Sequence, residues 1–239
     1  MILAIDCGNS RLKWGVHDGT GWRASGLLDY AEADGFAGVF GAQRGVLRSV
    51  VANVAGTRIG EAIAATLAEL GLPATWVRGE REQCGVRNGY ADPHQLGADR
   101  WAALIGARSL HGGGCLVVNA GTATTVDVLD ADGVFQGGII LPGVHLMRSV
   151  LARNTALLPL ADGVFAELPR DTADAIASGC LHAQAGAIER MYTQVANLAD
   201  PLCLVGGGGA AALIPLLGMP RRQVEHLVLE GLARIGLGQ

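Results

Sequence analysis

Residues 1–17, MILAIDCGNSRLKWGVH, decide the fold of this 239-residue chain. An apolar run ends at Asp6, a short polar turn containing Gly8 follows, and a second run alternates polar with apolar residues from Arg11 onward. Such alternation is typical of a half-buried strand. The segment therefore predicts a strand, a glycine turn and a second strand, with Asp6 at the end of the first strand.

This predicted hairpin has the chemistry to bind a nucleoside triphosphate. Main-chain N–H groups of a glycine turn can approach phosphate oxygens because no side chain intervenes. Ser10 adds a hydroxyl, and Arg11 or Lys13 adds positive charge. Asp6 can hold Mg²⁺ directly or through water. An ordinary hairpin with a capping aspartate explains the same residues, so this segment alone leaves both interpretations open.

A second copy of the pattern follows later in the chain. Residues 116–127, LVVNAGTATTVD, again show an apolar run, a small-residue turn and an alternating run. A shift of 113 positions places Asp6 on Asn119 and Gly8 on Gly121. Two long copies predict two related halves, whereas a solenoid repeats several short units. We expect the two turns to face each other across a cleft, the arrangement of actin-like ATPases and sugar kinases.

Composition limits the classes of function. Half of the residues are hydrophobic and 17% are charged, which argues against disorder. The net charge of −4 does not indicate a basic surface that would bind nucleic acid. No apolar run is long enough to span a membrane. Met1 leads directly into a strand, so we expect no signal peptide. The five scattered cysteines are expected to be reduced thiols of a cytoplasmic protein rather than metal ligands.

The remaining periodicity predicts an α/β chain. Strands are predicted over 21–28, 46–54, 75–77, 134–141 and 202–205. Helices are predicted over 29–40, 57–70, 97–110, 144–154, 172–199, 210–217 and 225–235. Segments 79–96 and 154–170 lack periodicity and are expected to be loops. The glycines at 112–114 suggest a linker between a first half, 1–112, and a second half, 113–239.

Two further features are candidates for a site. Asp99 and Arg100 open a predicted helix directly after a long polar loop. An acid in the first turn complements the helix dipole, but Asp99 could equally serve as a general base, with Arg100 binding an anionic group. The glycines at 206–209 lie between a predicted strand and a helix, where the main chain could approach a nucleotide closely. Glycine runs are also common bends.

Five motifs, in the same order along the chain, resemble those of type III pantothenate kinases. They lie at residues 6–13, 96–100, 120–124, 138–143 and 172–176. The first matches the pattern D-x-G-N-[ST]-x-x-K, and the second matches G-x-D-R. The resemblance covers nearly the whole chain. It implies a duplicated ribonuclease-H-like fold of the actin type, with two lobes and mixed central sheets around a nucleotide cleft, and a homodimer.

The resemblance also implies a reaction and roles for residues. The reaction is ATP-dependent phosphorylation of pantothenate to 4′-phosphopantothenate, the first step of coenzyme A biosynthesis, with Asp99 as the base and Asp6 serving Mg²⁺. The implied ATP contacts are Asp6, Cys7, Gly8, Asn9, Ser10, Arg11, Leu12, Lys13 and Thr122. The implied pantothenate contacts are Tyr90, Gly97, Ala98, Asp99, Arg100 and Thr172.

One position departs from the family pattern. Many members carry an acid where this chain has Asn119, and that acid is associated with a bound K⁺ or NH₄⁺. Asparagine offers a carbonyl oxygen but no charge, so we expect the cation to bind weakly or not at all. Two alternatives to a pantothenate kinase stay open: a non-catalytic, nucleotide-binding regulatory factor, and an actin-like kinase acting on a sugar or acetate.

Overall fold

The computed structural model describes residues 1–155, 158 and 162–238. Part of the loop predicted for 154–170 lies outside these residues. The chain forms two compact units. The first comprises Met1–Gly112, Gly133–Phe135 and His226–Gln239, and the second comprises Gly113–Asp132 and Gln136–Glu225.

The first unit is built on a five-stranded mixed sheet. Its strands are β1 (Ile2–Cys7), β2 (Arg11–His17), β3 (Trp22–Asp29), β4 (Arg48–Asn53) and β5 (Ala74–Trp76). The spatial order is β3-β2-β1-β4-β5, with β2 antiparallel to both neighbours and β4 parallel to both of its own. The hairpin predicted for residues 1–17 is confirmed, and Asp6 pairs with Lys13 across it.

Helices cover the faces of this sheet. They are α1 (Phe36–Gly41), α2 (Thr57–Glu69) and α3 (Ala98–Leu110). Ile59, Ile63 and Leu67 recur at helical spacing on α2 and are buried in the core beneath β1. The single helix predicted over 29–40 is wrong in part, because residues Tyr30–Gly35 form a 3₁₀ helix before α1. Glycine lowers helix propensity in this segment.

The polar segment 79–96 is more regular than its sequence predicts. It contains β6 (Glu82–Gln83), β7 (Val86–Asn88) and a 3₁₀ turn at Pro93–Gln95. The tight turn between β6 and β7 places Cys84 and Gly85 at φ values of 49° and 74°. Strands of two or three residues are too short to produce a periodic pattern, which is why the prediction of a loop was wrong here.

The second unit repeats the strand order of the first. Its strands are β8 (Cys115–Ala120), β9 (Ala123–Leu129), β10 (Val134–Pro142), β11 (Leu202–Gly206) and β12 (Arg221–Gln223). The first two residues of β10, Val134 and Phe135, belong to the first unit, where they pair with β7. The order is β10-β9-β8-β11-β12, with β8 antiparallel to β9 and parallel to β11. The predicted duplicated ribonuclease-H-like fold is confirmed.

The helices of the second unit are α4 (Val144–Asn154), α5 (Thr172–Tyr192) and α6 (Ala210–Leu213). Two predicted helices were too long. The one predicted to reach residue 199 ends at Tyr192, and the chain continues as turns to Asp200, whose φ is 47°. The one predicted to reach residue 217 ends at Leu213 and continues as a 3₁₀ turn, because Pro215 lacks the N–H that an α-helix requires.

The last helix, α7 (Leu227–Leu237), groups with the first unit. A Cβ on Gly231 would lie 1.8 Å from the carbonyl oxygen of Ala102, so α7 and α3 cross with their main chains in close contact. The predicted boundary at 112/113 places this helix in the second half. In the structure the helix groups with the first unit instead, because the apolar face of α7 packs on α3 and β1. No helix within the described residues is both long and apolar enough to cross a lipid bilayer.

Candidate active site

The first hairpin places a buried carboxylate beside a glycine turn. Asp6 is 5% exposed, and its Oδ1 atom has no hydrogen-bond partner among the described residues. Burial raises the pKa of Asp6 to about 6, the charge of Lys13 lowers that pKa, and the charge of Asp99 raises it. The carboxylates of Asp6 and Asp99 therefore lie within electrostatic range of each other, next to one cationic side chain.

Asp6 fits a divalent metal ion. No group of three or more His, Cys, Asp or Glu side chains in the described part of the chain could hold a metal by itself. Mg²⁺ in phosphoryl-transfer sites is held by one or two carboxylates together with phosphate oxygens and water, so a single acid suffices. A buried oxygen with no partner is costly unless a proton or a cation satisfies it.

The residues of the first turn differ in what they can offer a ligand. The side chains of Cys7 and Leu12 are fully buried in the core, and burial raises the pKa of the Cys7 thiol to about 12. Any contact of these two residues with ATP would therefore use the main chain. Gly8 and Lys13 are half-buried, whereas Asn9, Ser10 and Arg11 are exposed.

Tyr30 holds the first turn in place. Its Oη atom donates a hydrogen bond of 2.6 Å to the carbonyl oxygen of Gly8. The motifs of the sequence do not include this residue. The signal was available, because Tyr30 follows β3 directly and the partner of Arg11 in β3 is Asp29, so the antiparallel pairing returns the chain to the turn.

Asp99 lies in the first turn of α3. Its Oδ1 atom accepts a 2.9 Å hydrogen bond from the N–H of Arg100, and Oδ2 has no hydrogen-bond partner in the part of the chain that the structure describes. A Cβ on Gly97 would lie 2.8 Å from Oδ1, so the glycine leaves space for the carboxylate. This geometry is compatible with both interpretations of Asp99, as an acid that complements the helix dipole and as a base.

Arg100 is a buried cation enclosed by two aromatic rings. The side chain is 6% exposed, and Nη1 donates a 3.0 Å hydrogen bond to Tyr90 Oη. The guanidinium carbon lies 5.8 Å from the ring centroid of Tyr90 and 5.7 Å from that of Phe135, within cation–π range. Phe135 is fully buried at the start of β10 and was not predicted from the sequence.

The loop that carries Tyr90 is fixed by its own side chains. Asn88 Oδ1 accepts a hydrogen bond of 3.0 Å from the N–H of Tyr90, and Asn88 Nδ2 donates to the carbonyl oxygen of Pro93. His94 Nδ1 lies 2.8 Å from the carbonyl oxygen of Gly79. In the first unit the structure therefore brings together Tyr90, Gly97, Ala98, Asp99 and Arg100.

The second hairpin turn is enclosed by glycines of its own unit. The N–H groups of Gly143 and Gly209 donate to the carbonyl oxygens of Thr122 and Ala120, each at 2.9 Å. A Cβ on Gly143 would lie 2.1 Å from the oxygen of Gly121. Gly207, with a φ of 90°, leaves only 2.3 Å between a Cβ and the oxygen of Ala120. Close packing of main chain on main chain thus shapes the turn that exposes Thr122.

Two predicted site residues lie elsewhere in the second unit. Asn119 is half-buried near the end of β8 and pairs with Gly206 of β11. Thr172 is the first residue of α5, after Asp171, whose side chain caps the helix by accepting from the N–H of Asp174. Thr172 also lines a cavity of about 860 Å³, whose walls are mainly apolar side chains of α4 and α5: Met147, Val150, Leu151, Ile176 and Cys180.

A solved structure shares the fold. A protein from Sinorhizobium meliloti, described as a 2-dehydro-3-deoxygalactonokinase, superposes with a TM-score of 0.63 and covers 99% of this chain and 98% of its own. The two sequences are 17% identical, so this similarity supports the fold alone.

Curated sequences are much closer. The type III pantothenate kinase of Aromatoleum aromaticum is 58% identical over 233 residues, covering 98% of this chain and 96% of the relative. That of an Azoarcus species is 53% identical, covering 98% and 90%. The family model for type III pantothenate kinase matches residues 2–194. This chain therefore belongs to the type III pantothenate kinase family.

Proposed function

We propose that this chain transfers the γ-phosphoryl group of ATP to the terminal hydroxyl of pantothenate, giving 4′-phosphopantothenate, the first step of coenzyme A biosynthesis. The family assignment supports this reaction across nearly the whole chain. The structural observation that carries it is the buried carboxylate of Asp6, which lies beside Lys13 and within the field of Asp99. Phosphoryl transfer depends mainly on positioning and on neutralising charge, and this cluster supplies both.

Asp99 is the proposed general base. Its Oδ1 atom is held by the N–H of Arg100, which leaves Oδ2 to accept the hydroxyl proton of pantothenate. The alcohol oxygen then attacks the γ-phosphorus, and the bond to the bridging oxygen of ADP breaks. Its place in the first turn of α3 also complements the helix dipole.

Asp6 is the proposed ligand of the divalent metal that the kinase family uses with ATP, and we assign that metal as Mg²⁺. When bound, the ion would neutralise charge on the phosphates. Lys13 provides a second positive charge on the adjacent strand. We assign the phosphates to the main chain of residues 7–12 and to the side chains of Ser10, Arg11 and Lys13. Thr122 is the proposed ATP contact from the second hairpin.

Pantothenate carries a carboxylate, and Arg100 is its proposed partner. A guanidinium recognises a carboxylate through paired hydrogen bonds, and that of Arg100 lies within cation–π range of the rings of Tyr90 and Phe135. Gly97 and Ala98 would contribute main-chain contacts, Tyr90 its hydroxyl and ring, and Thr172 a hydroxyl. Substitution of Arg100 by Lys is expected to raise the KM for pantothenate, because a lysine cannot make the paired contact.

Asn119 is the basis of our proposal for how strongly a monovalent cation binds. An amide oxygen at this position gives a K⁺ or NH₄⁺ ion a dipole but no charge, so we propose that such an ion binds weakly or not at all.

We also propose a homodimer that works in the cytoplasm, where its co-substrate ATP is found. Exposed apolar side chains on the second unit support self-association. They include Ile140 at 61%, Val150 at 45% and Leu168 at 86% exposure. Sedimentation equilibrium of the wild type and of Leu168→Asp tests this: we expect a dimer that the variant weakens, and a monomeric wild type would contradict it.

A coupled assay of ADP release tests the reaction itself. We expect ADP release that depends on pantothenate in the presence of ATP and Mg²⁺, and none with a hexose or acetate as acceptor. ATP binding without pantothenate-dependent turnover would favour a regulatory nucleotide-binding protein. Turnover of a sugar or acetate but not of pantothenate would favour an actin-like kinase of different specificity.

A further inference from the structure

The hydrogen bond from Tyr30 to Gly8 has a consequence for the main chain of the first turn. The carbonyl oxygen of Gly8 and the N–H of Asn9 belong to one planar trans peptide and point in opposite directions. A phenol that holds the oxygen on one side therefore fixes the N–H on the other side. The distance of 2.6 Å is that of a well-formed O–H···O bond.

The Gly8–Asn9 peptide has little else to orient it. Glycine imposes few conformational limits on its own, and a Cβ at Gly8 would meet only the carbonyl oxygen of Arg11, at 3.3 Å. Asn9 and Ser10 are exposed at the tip of the turn. Among the hydrogen bonds of the described residues, the Tyr30 phenol is the side-chain contact to this peptide.

Tyr30 is also a dependable donor. Burial raises the pKa of its phenol above the ordinary value, and the neighbouring Cys7 and Asp6 raise it further. The hydroxyl therefore stays protonated throughout the pH range in which a kinase works. Its partner is a main-chain oxygen, so the bond does not depend on the rotamer of a second side chain.

We propose that Tyr30 is a positioning residue for the ATP phosphates, because its hydroxyl holds the Gly8 carbonyl and so presents the N–H of Asn9 to a phosphate oxygen. This inference rests on the proposed function, since it assumes that the first turn binds ATP. The phenol itself touches the turn and not the nucleotide.

Tyr30→Phe removes only the hydroxyl, and the chain provides a matched control. Tyr192 is also half-buried and donates through Oη to a main-chain oxygen, that of Pro201 at 3.2 Å, in the second unit. Both variants lose one phenol-to-carbonyl hydrogen bond. We expect Tyr30→Phe to weaken ATP binding about three- to tenfold, the usual range for one hydrogen bond, and Tyr192→Phe to leave it unchanged.

Calorimetric titration of each variant with Mg²⁺-ATP and with adenosine separates positioning from general loss of structure. We expect Tyr30→Phe to weaken ATP and leave adenosine unchanged, and 4-aminophenylalanine at position 30, which keeps a donor, to restore ATP binding. Equal weakening of ATP and adenosine, or unchanged ATP affinity, would overturn the proposal. Because these titrations need no pantothenate, their outcome is independent of whether the chain phosphorylates it.

Discussion

The two hairpins of this chain share a topology and differ in what surrounds their turns. The first turn follows a buried acid, Asp6, and faces a lysine on the next strand. The second follows a neutral residue, Asn119, and is enclosed by the glycines at 143, 207 and 209. The turn of the first copy is surrounded by charged side chains, and the turn of the second copy is surrounded by close main-chain contacts.

From this difference we propose a division of roles between the copies. A buried carboxylate near a lysine suits a metal ion and phosphates, whose charges need partners. A turn built on glycines suits close approach of a ligand to the main chain, with little dependence on charge. Substitutions in the first hairpin should therefore change metal and proton chemistry, whereas those in the second should change packing and nucleotide affinity.

The largest expected effect belongs to Asp99, whose charge acts on the first hairpin. We predict that Asp99→Asn folds normally and lowers kcat by about a hundredfold or more, the usual scale for loss of a general base. Glu230→Gln is the control, because Glu230 is likewise an acid in the first turn of a helix, and glutamine can still accept from Trp22 Nε1. Near-normal turnover by Asp99→Asn would show that this acid serves only the helix dipole.

We expect Asp6→Asn to lower the activity and to raise the free energy of unfolding. The pKa of Asp6 is raised to about 6, so the stability that its protonation contributes is complete below pH 3.8 and is lost as the pH rises through 6. Without metal or nucleotide, we predict that Asp6→Asn is more stable than the wild type by up to about 3 kcal/mol at pH 8, and by less at pH 5. Urea unfolding at both pH values measures this; a gain that is equal at pH 5 and pH 8 would contradict it.

Gly143→Ala tests the second hairpin. The φ of −64° at Gly143 suits any residue, so the clash of a Cβ with Gly121 alone should destabilise the protein, by about 1–3 kcal/mol, and weaken ATP binding. Gly186→Ala is the matched control on α5, where no atom lies within 4 Å of the added Cβ. That variant should gain about 0.5–1 kcal/mol. Equal stability changes in the two variants would refute the enclosed turn.

The smallest expected effect concerns Asn119. We predict that rates in K⁺ and in Na⁺ agree within about twofold, because an uncharged amide gives neither ion a strong advantage. Asn119→Asp, which restores the acid of many family members, should introduce a preference for K⁺. Steady-state rates at constant ionic strength measure both, and a steep K⁺ requirement in the wild type would overturn the prediction.

Both hairpins were predicted from local sequence patterns. Alternation along β2 and β9, and a glycine turn before each, are properties of a few adjacent residues. The boundaries that failed depended on packing. α7 groups with the first unit through glycine contacts with α3, between residues far apart in the sequence. A helix pattern shows which face is apolar but not which partner it will cover.

The site shows the same limit. Asp6, Asp99 and Arg100 were predicted as site residues from their motifs, whereas Tyr30 and Phe135 were not. Each of those two residues acts through contacts made by tertiary folding: Tyr30 with Gly8, and Phe135 with Arg100. Tyr30 follows one strand, and Phe135 lies near the start of another. Neither has a local sequence feature that distinguishes it from an ordinary core residue.

The dependence of ATP affinity on Mg²⁺ tests the division of roles between the hairpins most directly. Calorimetric titration with and without Mg²⁺ would compare the wild type, Asp6→Asn and Thr122→Ala. We predict that Mg²⁺ strengthens ATP binding to the wild type and to Thr122→Ala by similar factors, and that it has little effect on Asp6→Asn. A full Mg²⁺ effect in Asp6→Asn, or its loss in Thr122→Ala, would contradict the account.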